Sequence, residues 1–351
     1  MKEDKPTSFD IAYRAGVSQA TVSRALRDSP LVSKETRDKV KAVALELNYK
    51  VDKNARNLRS QKTRTLALLL CEDPGTGDSL INPFFLSMLG SITRAAAKRG
   101  YDVLISFQQL SSDWHADYED ANRADGIIFL GYGDYHTYSI KAEKLVAENA
   151  HFITWGPVVD GQPGYSIGCD NFSGGYAAGK HLIKLGYQRV AFLGSVSSEH
   201  WPEFHQRYLG YKKAMDEAGL EVDPALQVEA ETADDEGYRA IGYLESQGLK
   251  YDAVFGASDL IAMGAIKALE NIGRRVPKDV AVIGFDDIPA ASYTNPSLTT
   301  VQQNTTIAGE LLVENLLKLI EGESIESMLL PAKLVVRASC GECTGKEPES
   351  S

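Results

Sequence analysis

The side chains of this sequence that could ligate a metal or shuttle protons are few and scattered. Six histidines lie at 115, 136, 151, 181, 200 and 205, and only His200 and His205 fall close together. Cysteines occur at 71, 169, 340 and 343. Cys340-Gly-Glu-Cys343 is a lone C-x-x-C in a polar tail, one pair short of a four-ligand zinc site and without the strand–helix context of a redox pair. There is no phosphate-binding Walker loop, G-x-S-x-G elbow, GxGxxG or H-E-x-x-H. No catalytic group, metal or cofactor is therefore expected, and the chemistry left to this chain is binding.

Charge points the same way. The whole chain carries −11, but residues 1–64 hold fifteen Lys and Arg against eight Asp and Glu, a net of +7, which leaves −18 on the remainder. A cationic head on an anionic body implies a polyanionic partner for the head alone. The 351 residues suggest two or three domains, and 43% apolar content is enough for real cores. No run approaches the ~18–20 apolar residues of a membrane helix. Met1-Lys2-Glu3-Asp4-Lys5-Pro6 offers no signal-peptide core, and four cysteines in this length do not make a disulfide framework. A soluble cytoplasmic protein is expected, with no membrane contact.

Thr7-Ser8-Phe9-Asp10 has the capping-box form and starts a short helix with Ile11, Ala12 and Ala15 inward, broken at Gly16. Ser18 caps a second helix, from Gln19 to about Arg27, with Val22 and Leu26 inward. Asp28-Ser29-Pro30 stops it, and Ser33 caps a third, Lys34 to Leu47. Two short helices across a Gly-containing turn, with a third in support, suit either a generic three-helix bundle or a helix-turn-helix.

Ala15-Gly16-Val17-Ser18-Gln19-Ala20-Thr21-Val22-Ser23-Arg24-Ala25-Leu26 resembles the headpiece signature of the LacI/GalR family of transcriptional regulators, "AGVSxxTVSRxL". Val32-Ser33-Lys34-Glu35-Thr36-Arg37 and Leu47-Asn48-Tyr49 follow at the family's spacing. The resemblance implies that the second helix enters the DNA major groove. Gln19, Ala20 and Arg24 then face base edges, where Arg forks to guanine, Gln to adenine and Ala touches a thymine methyl. Ser18, Thr21 and Ser23 are implied to hold phosphates, and a phosphate is the alternative for Arg24 as well.

Val51-Asp52-Lys53-Asn54-Ala55-Arg56-Asn57-Leu58-Arg59 occupies the place of the family's hinge helix, "PNxxARxLR". It is too short and polar to be stable alone. The resemblance implies folding on DNA as a pair, with Leu58 wedged into the minor groove and Ala55 one turn before it. Val51 replaces the family's Pro and Asn54 its apolar residue. An ordinary linker is the alternative.

From Thr65 onward, apolar runs alternate with amphipathic segments. The runs are Thr65–Cys71, Tyr101–Phe107, Gly126–Leu130, Phe152–Trp155, Arg189–Gly194, Ala253–Ala257 and Val280–Phe285, with helical patterns at 85–99, 172–185, 205–218, 236–247 and 259–272. This order predicts parallel sheets covered on both faces, compatible with two Rossmann-like lobes and a ligand cleft beyond the strands' carboxyl ends.

The body also resembles the family's effector domain, itself similar to periplasmic sugar-binding proteins. Asn82-Pro83-Phe84-Phe85, Asp170-Asn171 with Gly174 to Tyr187, Arg207-Tyr208-Leu209-Gly210-Tyr211, Ser258 to Gly264, Gly284-Phe285-Asp286-Asp287 and Ser297 to Val301 carry the likeness, which spans roughly residues 7–338. It implies that Arg207 and Asp286 hold effector polar groups, chemistry that suits sugar hydroxyls. The alternatives are an interlobe salt bridge for Arg207 and a turn or cap for Asp286. Phe84, Trp155 and Trp201 are expected as pocket walls or as core. Ser258, also expected at the effector, stands where the family frequently has Asn before the Asp of "NDxxAxG", Thr232 replaces a frequent aromatic, and the loop 72–81 is long. These departures suggest a larger pocket, open to an oligosaccharide or glycoside.

The expected architecture is a helix-turn-helix domain (1–50), a hinge helix and linker (51–64), a two-lobed effector-binding and dimerisation domain of periplasmic-binding-protein type (65–340) and a polar tail (341–351). The expected function is a non-enzymatic repressor, a homodimer on a palindromic operator of double-stranded DNA, controlled by a small effector, a sugar or oligosaccharide. The tail lacks a leucine heptad, so tetramers are not expected. Three other readings stay open: a sugar-binding protein without DNA function, an activator or corepressor-dependent regulator with a non-sugar effector, and an α/β enzyme such as a kinase.

Overall fold

The computed structural model describes residues 6–49, 62–71, 81–231 and 234–341. The hinge positions Ala55 and Leu58, Thr232, most of the loop 72–81, Cys343 and the tail beyond Gly341 lie outside the described residues. The chain divides into two compact units, residues 1–63 and 64–351.

The first unit holds α1 (Ser8–Ala15), α2 (Gln19–Ala25) and α3 (Lys34–Glu46). The Asp10 carboxylate accepts from the Thr7 N–H and hydroxyl, both at 2.7 Å, and so fixes the start of α1. Gly16 ends it at φ 66°, in the left-handed region that glycine enters without strain. Ser18 and Ser33 accept from Thr21 and Thr36 N–H and start α2 and α3. Ile11, Ala15, Val22, Ala25 and Val40 are buried together as one core.

The second unit is two α/β lobes. In the first, β1 (Thr65–Leu70), β2 (Asp102–Phe107), β3 (Ile127–Leu130), β4 (Phe152–Trp155), β5 (Tyr165–Cys169) and β11 (Met328–Leu330) form a sheet in the order β11-β5-β4-β3-β1-β2. Every neighbouring pair in it is parallel. Packed around it are α4 (Pro83–Lys98), α5 (Tyr135–Ala147) and α10 (Thr305–Ile320). In the second lobe, β6 (Val190–Leu193), β7 (Gln227–Val228), β8 (Ala253–Gly256), β9 (Ala281–Asp286), β10 (Thr299–Gln302) and β12 (Lys333–Val335) run in the order β12-β10-β9-β8-β6-β7, with only β12 antiparallel. Its helices are α6 (Asn171–Lys184), α7 (Pro202–Glu217), α8 (Asp234–Ser246) and α9 (Asp259–Asn271). The chain passes between lobes three times: after β5, after β10 and after β11.

Each central strand is buried on both faces, as continuous apolar runs such as Leu66–Leu70 and Ala281–Phe285 require. One close helix contact is α6 on α7. A Cβ on Gly175 would sit 2.0 Å from the Arg207 carbonyl oxygen, and one on Gly210 2.0 Å from that of Phe172. Only glycines allow this approach, and it brings Arg207 against the start of α6.

Within the described residues the predicted strands and helices are present, with ends shifted by a few residues, and α5 and α10 are present besides. The short strands β5, β7, β10, β11 and β12 were not anticipated. Cys340 is not in a polar tail: it is buried, with its sulfur 3.2 Å from His181 Nε2 and 3.0 Å from Thr299 Oγ1.

Candidate nucleic-acid interface and effector site

In the first unit, α2 presents Ala20 and Arg24 exposed on the surface. Gln19 is half-buried, its amide donating to the Ser8 hydroxyl at 2.8 Å. The Ser18 hydroxyl is engaged with Thr21, 2.9 Å from Thr21 Oγ1, and Ser23 accepts from the Arg27 guanidinium at 3.1 Å. The short polar groups are thus held in place by the helix itself, while the long cation reaches outward. That division suits a surface on which fixed hydroxyls meet phosphates and an extended Arg meets base edges.

In the second unit, a cavity of about 330 Å³ opens between the lobes. It lies where the strands end: Cys71 follows β1, Gly131 to Asp134 follow β3, Trp155 ends β4, Cys169 ends β5 with Asn171 just beyond, Asp286 ends β9, and Gln303 follows β10. Parallel sheets place ligands at their carboxyl ends because loops there diverge and helices begin there.

Arg207 and Asp286 sit at its floor, 5% and 8% exposed, with Nη1 3.6 Å from Oδ1. Arg207 Nε donates to Asn171 Oδ1 at 2.8 Å, and Nη1 donates to the Ala257 carbonyl. Its guanidinium lies 3.8 Å above the Phe285 ring, a cation–π contact that holds its plane. Gln303 donates to Asp286 Oδ1 at 2.7 Å. Burial pushes the Asp286 carboxyl up to about 6, against the pull of Arg207 and Gln303. Asp286 also has φ 121°, a conformation rare for a side-chain-bearing residue, which is strain held in place by its surroundings.

The walls are aromatic from both lobes. Phe84 and Trp155 stand 6.1 Å apart in the first, and Trp201 stacks on Phe204 at 5.7 Å in the second. Of the six body residues expected at the effector, five line the cavity: Phe84, Trp155, Trp201, Arg207 and Asp286. Ser258 does not. It is buried, and its hydroxyl caps α9 by accepting from Ile261 N–H at 3.3 Å.

Sequence reasoning missed the residues that close the mouth. Tyr132 donates from one lobe to Glu203 of the other. Asp134 meets the His200 imidazole, and His136 Nδ1 lies 3.1 Å from Glu199. Burial pushes the Glu203 carboxyl up to about 7. One signal was present: Glu203 lies four residues before Arg207 and so on the same helix face. The Tyr132 side carried no signal beyond following a predicted strand.

Residues 9–52 match the family "Bacterial regulatory proteins, lacI family", and residues 180–340 match "Periplasmic binding protein-like domain". The chain is 32% identical to the HTH-type transcriptional regulator RegA of Clostridium saccharobutylicum over 338 residues, 94% of this chain and 98% of the relative. Its fold matches the crystal structure of the Lac repressor dimer bound to operator and the anti-inducer ONPF, with TM-score 0.82, 26% identity and coverage of 96% and 99%. It also matches the transcriptional regulator CelR–cellobiose complex, with TM-score 0.70, 28% identity and coverage of 95% and 99%. A helix-turn-helix unit on the same chain as a cleft-bearing, two-lobed binding domain defines a ligand-responsive DNA-binding regulator. The chain belongs to the lacI family of bacterial transcriptional regulators. Among the described residues no helix is long and apolar enough to cross a membrane.

Proposed function

We propose that this regulator is a cytoplasmic, non-enzymatic repressor whose operator affinity is set by a sugar or oligosaccharide in the interlobe cavity. The observation that carries the reading is the Arg207–Asp286 pair under aromatic walls from both lobes. Carboxylate and guanidinium accept from and donate to hydroxyls, while flat rings cover sugar C–H faces. The CelR–cellobiose structure supports a saccharide, and the operator-bound Lac repressor dimer supports a homodimer on a palindromic site.

In this reading residues 1–50 read DNA, 51–64 form the hinge and linker, 65–340 bind effector and dimerise, and 341–351 are a tail. Gln19, Ala20 and Arg24 read bases. Ser18, Thr21 and Ser23 hold phosphates, and Leu58, one turn after Ala55 in the expected hinge helix, wedges the minor groove. An effector that binds one lobe arrangement better than another shifts operator affinity by its differential affinity, of order 1–3 kcal/mol.

The test is a titration of operator DNA from upstream of the protein's own gene, repeated with mono- and oligosaccharides. Tight, salt-sensitive binding that one sugar changes about tenfold is the expected result, and its sign separates inducer from corepressor. Binding that no sugar alters would remove the sugar. No binding to any palindromic site would remove the repressor.

A further inference from the structure

The charge around the cavity is lopsided. Among the described residues that line it, Arg207 is the only cation, whereas Asp134, Glu203, Glu231 and Asp286 all contribute carboxyl groups. The Arg207 charge is already paired with Asp286, which leaves its remaining N–H donors for hydroxyls. Arg207 Nε and Nη1 are taken by Asn171 and the Ala257 carbonyl, its charge faces Asp286 at 3.6 Å, and its plane lies on Phe285. The Asp134 charge is offset by His200 across the cleft. Glu203 and Glu231 have no lining cation of their own.

Helix N-termini are the other common means of holding an anion. Three border this cavity behind a capping side chain that already takes a first-turn donor. Asn82 Oδ1 accepts from Phe84 N–H at 2.9 Å at the start of α4, Asp134 Oδ1 from Thr137 N–H at 2.8 Å at the start of α5, and Asp170 Oδ1 from Ser173 N–H at 2.9 Å at the start of α6. At a fourth, α7, Glu203 sits in the first turn and occupies the favourable field itself.

We infer that the cavity selects an uncharged saccharide and excludes phosphorylated sugars, with Glu203 and Glu231 as the residues that determine this specificity. The inference rests on the sugar reading above and narrows it. A phosphate in this space would meet the exposed Glu231 carboxylate and the Glu203 carboxyl, whose ionisation burial already disfavours, with no unpaired cation among the described lining residues to hold its charge. A neutral sugar meets the same carboxylates as acceptors for its hydroxyls. The Glu203 carboxyl, bonded to Tyr132, offers its other lone pairs in that role.

The test uses the full chain and a panel of glucose, galactose, fructose, cellobiose, maltose and lactose. Each is paired with a 6-phosphate, and glucosamine is added. Calorimetric affinity and operator release are both read. The expected result is that a neutral member binds and its phosphate is at least a hundredfold weaker, with the gap shrinking at high salt. In the Glu203→Gln, Glu231→Gln double variant the gap narrows at least tenfold. A phosphate that binds as well as its parent, or glucosamine binding better than glucose, overturns the inference and leaves the sugar reading standing. A gap that the double variant does not alter overturns the assignment to these two residues. Silence from every sugar with intact operator binding overturns both.

Discussion

Arg207 Nε donates to Asn171 Oδ1 at 2.8 Å, so the floor of the cavity is tied to the point where the chain first crosses between lobes. The guanidinium touches one crossover at Asn171 and, through Asp286 and Gln303, a second. A ligand that engages this pair therefore acts on two of the three connections about which the lobes can move. Rigid-body motion about a few connecting residues is a common route from a small ligand to a distant site.

Arg207→Ala should abolish the effector response and also destabilise the body by about 3–5 kcal/mol, because it leaves Asp286 buried without its partner. Urea unfolding and effector titration read the two effects. Asp286→Asn, which keeps the shape and removes the charge, should lose the response at a smaller cost in stability. If Asp286→Asn responds normally, the carboxylate is not the ligand group.

Ser258→Ala removes the side-chain cap of α9. The expected loss is about 1 kcal/mol of stability, with effector affinity changed less than twofold. A large loss of affinity with stability intact would return Ser258 to the ligand site.

The Asp134–His200 contact across the cleft should make lobe closure depend on pH. The hydrogen bond to Asp134 raises the His200 pKa. Burial raises that of Asp134, but its bonds to Thr137 and His200 outweigh this and lower it. The histidine contribution is complete below its ordinary value near 6.5 and is lost as pH rises through the raised value. The aspartate contribution is present above its ordinary value near 3.8 and is lost as pH falls through the lowered value. Closure, followed by small-angle scattering or effector affinity, should therefore weaken on the alkaline side in the wild type and lose that dependence in His200→Ala. The same alkaline slope in His200→Ala would show that the contact does not control closure.

Arg24→Ala should weaken operator binding by about 1–3 kcal/mol and relax preference at one base position, as loss of a bidentate base contact does. A uniform loss on all sequences, with a shallower salt slope, would reassign Arg24 to a phosphate. Effector binding should be unchanged in either case.

The head was legible because its signals are local. Thr7 with Asp10, Gly16, Ser18 and Ser33 act on backbone within three or four residues, and the inward positions follow the helical period. The central strands were legible for the same reason, as short apolar runs between helical patterns. Short strands such as β11 and β12 were not, since three residues hold no period and pair only because the chain recrosses the lobes.

Phe84, Trp155, Trp201, Arg207 and Asp286 could be singled out as types in matching segments, but their meeting in one cavity could not be read from spacing. Ser258 shows the limit: the same position that suggested a ligand contact folds into a helix cap. Tyr132 with Glu203, 71 residues apart, and Asp134 with His200, 66 apart, have no local period to announce them. The sequence by itself determined the elements, the two-unit plan and the charge asymmetry, because propensity, capping and composition act over a few residues or over the whole sum. Only the tertiary structure decided which carboxylates line the cavity and which cation is already paired, because those depend on how the two lobes meet.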